Sequence, residues 1–231
     1  MNLFYQPNIP EGIHYLDRDE SHHAVRVMRL GEKQTIDLTD GRGLFYVAKI
    51  TRADPKKCEF EIIEKKQIAR RDFQVHIAIA PTKNADRMEW FVEKVTEIGV
   101  DQISFMFCKN SERKVINCER IEKVAVSAMK QSQQAWLPKI NDMVSFKEIF
   151  SMNADQKFIA YVDASNPRHL QSAAKPEKNY LILVGPEGDF SKDELELALQ
   201  NGFEKVSLGA NRLRTETAAL VSCQILNLKN I

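Results

Sequence analysis

Leu181-Ile182-Leu183-Val184-Gly185-Pro186-Glu187-Gly188-Asp189-Phe190-Ser191 is one of two stretches that decide how this chain folds. The other is Val206-Ser207-Leu208-Gly209-Ala210-Asn211-Arg212-Leu213-Arg214-Thr215-Glu216-Thr217-Ala218. Each reads as a buried apolar strand, a turn of unusual backbone chemistry and the start of a helix. Two such strand ends set side by side make a crevice of main-chain amides and carbonyls, where an open α/β sheet binds its ligand. The blander reading is a pair of ordinary strand-to-helix connections, which any α/β domain needs. Ser191-Lys192-Asp193-Glu194 fits the S-x-x-E capping box, so a helix starts there and runs through Leu195, Ala198 and Leu199 to Gly202. After the second stretch, Ala218, Val221, Ser222 and Ile225 mark the inward face of a last helix over 215–228.

Upstream, strand and helix patterns alternate. Val75-His76-Ile77-Ala78-Ile79-Ala80 is an apolar run ended by Pro81. Met88, Phe91, Val92, Val95 and Ile98 recur at helical spacing over 85–98, and Gly99 supplies the stop. A strand is expected over 103–107, a helix over 119–134, and strands over 158–162, 180–184 and 204–208. This alternation predicts a parallel sheet with helices on both faces. Residues 163–179, with Pro167 and Pro176, read as a loose excursion.

Residues 1–70 read differently. Thr35-Ile36-Asp37-Leu38-Thr39 and Leu44-Phe45-Tyr46-Val47-Ala48-Lys49-Ile50 flank the turn residues Asp40-Gly41-Arg42-Gly43, a hairpin signal, and 57–63 continues as a strand. Residues 20–29 read as a short helix with Ser21 as N-cap. The expectation is a small β-barrel-like module, on which Arg26, Arg29 and Arg42 form either a phosphate-facing patch or a solvated surface. The charged run Lys65-Lys66-Gln67-Ile68-Ala69-Arg70-Arg71-Asp72 marks the boundary, with a second domain over 73–231.

Composition narrows the chemistry. The 231 residues suffice for one large domain or two smaller ones, and 33 Lys+Arg against 32 Asp+Glu leave a net charge of +1. Any nucleic-acid contact therefore rests on a local patch. No apolar run reaches the ~18 residues of a membrane span, and the first residues lack a secretory signal pattern, so the cytoplasm is the expected location. The four cysteines and five histidines show no metal-binding spacing. Gly-x-Gly-x-x-Gly, the Walker loop and Gly-x-Ser-x-Gly are all absent. What remains is a nucleoside-like pocket lined by main chain, with Gly185, Pro186 and Gly188 shaping one turn and Glu187 and Arg214 at its lip. Those two read equally as a structural ion pair or as direct chemistry.

At these residues a resemblance becomes specific. Leu-Val-Gly-Pro-Glu-Gly (183–188) with Leu-Gly-x-x-x-Leu-Arg-Thr-Glu-Thr-Ala (208–218) resembles the ribosomal RNA uridine N3-methyltransferase family, of the SPOUT or trefoil-knotted methyltransferases. The likeness covers essentially the whole chain. Residues 22–31 and the 40–43 hairpin resemble the family's PUA-like RNA-binding module. Arg87-Met88-Glu89-Trp90 with Lys94, Glu97 and Gly99 resembles its first catalytic-domain helix, and Ser111-Glu112-Arg113 its next motif. Asp189 stands where the family usually has a glycine. Asn211-Arg212, and Lys130 through Gln134, also depart from its pattern.

The resemblance implies a trefoil-knotted α/β domain behind a PUA-like β-barrel, and a homodimer with the active site at the subunit interface. It implies methylation at N3 of one uridine in 16S ribosomal RNA of the small ribosomal subunit, without a metal or a membrane. S-adenosylmethionine would be held by Leu183, Val184, Gly185, Pro186, Glu187, Gly188, Leu208, Gly209, Leu213, Thr215, Thr217 and Ala218. Arg214 and Glu187 would be catalytic, and Arg26, Arg29, Lys83, Arg87 and Arg113 would contact RNA. Two alternatives stay open: a SPOUT methyltransferase for another RNA position, and a non-catalytic RNA-binding assembly factor.

Overall fold

The apolar runs of the second half assemble into a single parallel sheet. The computed structural model describes residues 3–162 and 168–231. The chain forms two units, one of Met1–Arg70 with Val126–Leu137 and the other of Arg71–Ala125 with Pro138–Ile231.

In the first unit, strands β1 (Leu3–Tyr5), β2 (Thr35–Thr39), β3 (Leu44–Arg52) and β4 (Glu59–Gln67) form a sheet in that order. β1 pairs parallel with β2, and the other pairings are antiparallel. Ile36 and Leu38 of β2 and Tyr46, Ala48 and Ile50 of β3 alternate inward onto Phe4, Leu16, Ala24 and Phe60. β4 runs further than expected: Lys65, Lys66 and Gln67 pair with Tyr46, Phe45 and Leu44. A ladder needs only main-chain groups, so the charged run that reads as a linker is largely strand.

The hairpin turn is built by Asp40, whose Oδ1 accepts from Arg42 N (2.8 Å) and Leu44 N (3.1 Å). Its Oδ2 accepts from the Tyr46 hydroxyl at 3.2 Å. Burial, with the Asp40 charge behind it, pushes that phenol up to about 12. Gly43 has φ +101°, and a Cβ there would lie 2.3 Å from Trp136 Cζ2. Gly43 N also donates to Ala135 O (2.8 Å), Trp136 Nε1 donates to Ile68 O (3.3 Å), and the Arg70 guanidinium lies 4.7 Å from the Trp136 ring centre. Residues 126–137 thus belong with the hairpin, where the sequence reading placed them in the second domain. Lys130 forms an ion pair with Glu20 and Gln134 Nε2 donates to Ser132 Oγ, so both departures from the family pattern have local partners.

The helix expected over 20–29 begins earlier, as α1 (Arg18–His22), and its N-cap is Asp17, which accepts from Glu20 N at 2.8 Å. Ser21 is instead fully buried. Its hydroxyl donates to Leu16 O (3.0 Å) and accepts from Cys58 N (2.8 Å), which ties the helix to the sheet. A π-helical turn, His23–Val27, follows, and Arg29 adopts φ +58°.

In the second unit, strands β5 (Gln74–Ile79), β6 (Gln102–Phe107), β7 (Lys139–Ser145), β8 (Gln156–Ala160), β9 (Asn179–Val184) and β10 (Glu204–Val206) form a sheet in the order β10-β8-β9-β5-β6-β7. Every pairing is parallel. Helices α2 (Ala85–Ile98), α3 (Cys118–Gln131), α4 (Leu170–Ala173), α5 (Lys192–Gln200) and α6 (Thr215–Leu228) connect the strands. Leu181 and Leu183 of β9 pack with Ala198 of α5, while Tyr180 and Ile182 point to the opposite face. α6 packs on α2, β5 and β9. Arg71 braces this arrangement: it donates to Asn227 Oδ1 (2.6 Å) and Gly99 O (2.7 Å) and pairs with Asp101 (2.7 Å).

α4 interrupts the loose excursion expected over 163–179, with the His169 side chain accepting from Gln171 N at its start. Residues 1–2 and 163–167, including Pro167, lie outside the described residues. Among the described residues, no helix is long and apolar enough to cross a membrane, and no group of three His, Cys, Asp or Glu is placed to hold a metal.

Candidate active site

The carboxyl ends of β8, β9 and β10 open onto a cleft of ≈ 670 Å3, closed on one side by the first turn of α6 and by Arg87 of α2. The size lies within the range of small-molecule sites, and the position is the one where parallel sheets bind ligands. One expectation needs correcting. The ends of β9 and β10 are not neighbours, because β8 lies between them, and Ala160, Tyr161 and Val162 supply the cleft's middle wall. Strand order is set by long-range pairing, which no local pattern reports.

The β9 loop is held tightly. Asp189 N donates to Pro186 O (2.9 Å), and a Cβ on Gly185 would sit 3.1 Å from the Phe190 ring, so a side chain there would need that ring to give by a few tenths of an ångström. Asp189 has φ +59°, the left-handed region that glycine fills most readily, which accounts for the family's usual residue at this point. Here its carboxylate is put to use. Oδ1 accepts from Phe190 N (2.8 Å), and Oδ2 accepts from Val162 N (3.3 Å) at the end of β8. Burial pushes this carboxyl up, against those two hydrogen bonds and the positive charge of Arg212.

Of the residues expected to hold the cofactor, Val184, Gly185, Pro186, Glu187, Leu208, Gly209, Leu213, Thr215 and Ala218 line the cleft. Leu183 is buried in the sheet core, Gly188 backs onto Asn110, and Thr217 is not on the wall. Asp189, Ser207, Asn211 and Arg212 line it as well. Arg214 is the N-cap of α6, and its side chain makes no capping bond and is exposed to the cleft. Glu187 does not pair with it. Its Oε1 accepts from Lys83 N at 3.2 Å.

The four arginines and one lysine expected on RNA divide. Arg26 and Arg29 are exposed on the first unit, around the π-helical turn. Arg42, the other member of that patch, is paired with Glu11 at 2.8 Å. In the second unit, Lys83 Nζ lies 3.4 Å from Glu112, and Arg113 donates to Lys83 O at 2.6 Å. Arg87 is partly exposed and lines the cleft, with Nε 3.7 Å from Glu216 Oε1.

A parallel sheet with a mixed polar and apolar cleft at its carboxyl ends defines a small-molecule-binding α/β protein. Residues 69–227 match the RNA methyltransferase domain, and residues 16–63 match the RNA methyltransferase PUA domain. A ribosomal RNA small subunit methyltransferase E from Mesomycoplasma hyopneumoniae is 30% identical over 186 residues, covering 76% of this chain and 78% of that protein. The crystal structure of a probable rRNA-methyltransferase from Porphyromonas gingivalis is 43% identical, with TM-score 0.93, over 100% of this chain and 98% of the other. A ribosomal RNA small subunit methyltransferase E from Neisseria gonorrhoeae, solved bound to S-adenosyl methionine, shares the fold at 24% identity and TM-score 0.80, over 96% and 95% of the two chains. The chain belongs to the RNA methyltransferase family, in the group of the ribosomal RNA small subunit methyltransferases E.

Proposed function

We propose that this protein methylates N3 of one uridine in 16S ribosomal RNA, on the small ribosomal subunit, with S-adenosylmethionine as methyl donor. The single observation that carries the reading is the cleft. Its walls come from the 185–189 and 207–213 loops and the first turn of α6, and the exposed Arg214 side chain makes no capping hydrogen bond. Its volume and its arginines suit an adenosine with a charged amino-acid tail. When bound, S-adenosylmethionine supplies an electrophilic methyl group on a sulfonium.

The chain's own residues then have three tasks. Main chain around Gly185 and Gly209 holds the nucleoside and fixes the line of attack, which supplies much of the acceleration. Arg214 stabilises negative charge developing on a uracil carbonyl as the N3 proton leaves. Glu187 braces the lip through Lys83 N. The uridine must be unpaired or flipped to enter. In keeping with the resemblance, we also propose that the C-terminal segment forms a trefoil knot, that residues 1–70 are a PUA-like barrel binding RNA ahead of a methyltransferase domain over 73–231 whose 126–137 segment is grouped with the first unit, and that the active enzyme is a cytoplasmic homodimer.

The test is methylation of undermethylated small subunits in vitro, with the product nucleoside identified. N3-methyluridine is the expected product. A different methylated nucleoside would move the enzyme to another position, and RNA binding without transfer would make it an assembly factor. Arg214→Ala should lower turnover by about 10²–10³-fold with cofactor affinity intact, by analogy with removal of one charge-stabilising donor. Near-normal turnover would remove Arg214 from the mechanism.

A further inference from the structure

Glu216 is the least explained charged residue of the cleft. It lies in the first turn of α6, where the helix N-terminus favours an acid, yet it is only 6% exposed. Its Oε1 lies 3.7 Å from Arg87 Nε, and its Oε2 is buried with no hydrogen-bond partner. Buried polar atoms are almost always partnered, and a buried carboxylate is costly even beside a cation. A side chain placed at that cost is explained by what it does to its neighbour. Arg87 is partly exposed and lines the cleft, and its only described interaction is through Nε. The Nη1 and Nη2 groups are left uncommitted. Those two donors form the planar fork that meets a carboxylate or a phosphate with two parallel hydrogen bonds.

We propose that Glu216 is a positioning residue that fixes Arg87 by its Nε side, so that Arg87 serves as the oxyanion-binding fork of the cleft. This rests on reading the cleft as the methyl donor's site. The oxyanion is the carboxylate of the donor's amino-acid tail or a phosphate of the entering RNA, and the two sources separate by experiment. Arg87 thereby leaves the open RNA-binding surface. At 3.7 Å its contact with Glu216 is longer than a hydrogen bond, so charge rather than a shared proton holds it.

Calorimetry with S-adenosylhomocysteine and with 5′-methylthioadenosine, which lacks the amino-acid tail, tests this on the full chain. If the carboxylate is bound, Arg87→Gln weakens S-adenosylhomocysteine by about 10–100-fold, the range of a charge-assisted hydrogen bond. Binding of methylthioadenosine stays unchanged, which also shows that the cleft is folded. If phosphate is bound, both small ligands bind Arg87→Gln normally and RNA affinity falls. Arg87→Lys, which keeps the charge but not the fork, should recover little in either case. Glu216→Gln should cause the same selective loss, and cause none in the Arg87→Gln background, since a positioning residue acts only through its partner. Arg87→Gln binding S-adenosylhomocysteine and RNA at wild-type affinity would overturn the proposal. So would Glu216→Gln weakening methylthioadenosine as strongly in both backgrounds. These affinities do not depend on which nucleoside is methylated, so the uridine assignment fails or stands separately.

Discussion

His76 shows how one side chain records the sheet around it. It sits on β5 at 7% exposure, with Nε2 2.8 Å from Ser104 Oγ on β6, and Asn141 of β7 donates to the same oxygen at 2.8 Å. Burial, with the Lys139 charge added, lowers its pKa from 6.5 to about 4. The folded state therefore keeps this imidazole neutral while the unfolded chain takes a proton below pH 6.5. The stability it contributes is complete above that pH and is lost as pH falls towards 4, by about 3 kcal/mol over the window. Urea unfolding at pH 7 and pH 4 should show His76→Gln losing less stability on acidification than wild type, by roughly that amount. Equal losses would mean the ring titrates freely in the fold. The apolar run around His76 was readable as a strand. Its polar chain to Ser104 and Asn141 was not, because the chain needs three strands brought side by side.

At the scale of elements, what was legible follows the range of the cause. The Ser191 capping box, the Gly99 stop and the Asp40–Gly43 hairpin are set within a few residues, and each is found where the sequence places it. The Ser21 cap failed because Asp17, one turn earlier, competes better, while the Ser21 hydroxyl serves Cys58 far along the chain. β7 went unread because its burial is only partial and Asn141 and Asp142 break its apolar run. The two expected helix-flanked strand ends exist, but the cleft needs β8 between them.

The α5 start carries one feature beyond the local motif. Glu194 Oε2 accepts from Ser191 N (2.8 Å), and its Oε1 accepts from Lys109 N (2.7 Å) just after β6. Ser191→Ala should cost about 1 kcal/mol, as for an ordinary N-cap. Glu194→Ala leaves two backbone amides without their acceptor and should cost more, about 2 kcal/mol. A thermal shift for Ser191→Ala as large as for Glu194→Ala would show that the link to residue 109 contributes nothing.

For the whole molecule, charge decides how it can engage RNA. A net charge of +1 gives no general attraction to a polyanion, so affinity must come from a few placed cations. Several candidates already have an acidic neighbour: Arg42 lies against Glu11 and Lys83 against Glu112. Arg26 and Arg29 of the first unit remain exposed, carried by a π-helical turn and a left-handed residue, backbone features that recur at functional sites. Each phosphate contact contributes about 0.7–0.9 to the slope of log affinity against log salt, depending on whether the RNA is single- or double-stranded. The double variant Arg26→Ala, Arg29→Ala should therefore flatten that slope by about 1.4–1.8 and weaken binding most at low salt. Calorimetric affinity for the methyl donor should not move, since the cleft lies in the second unit. An unchanged salt slope in the variant would transfer the RNA-binding surface away from the π-helical turn and leave Arg113, Arg212 and Arg214 of the second unit to supply it.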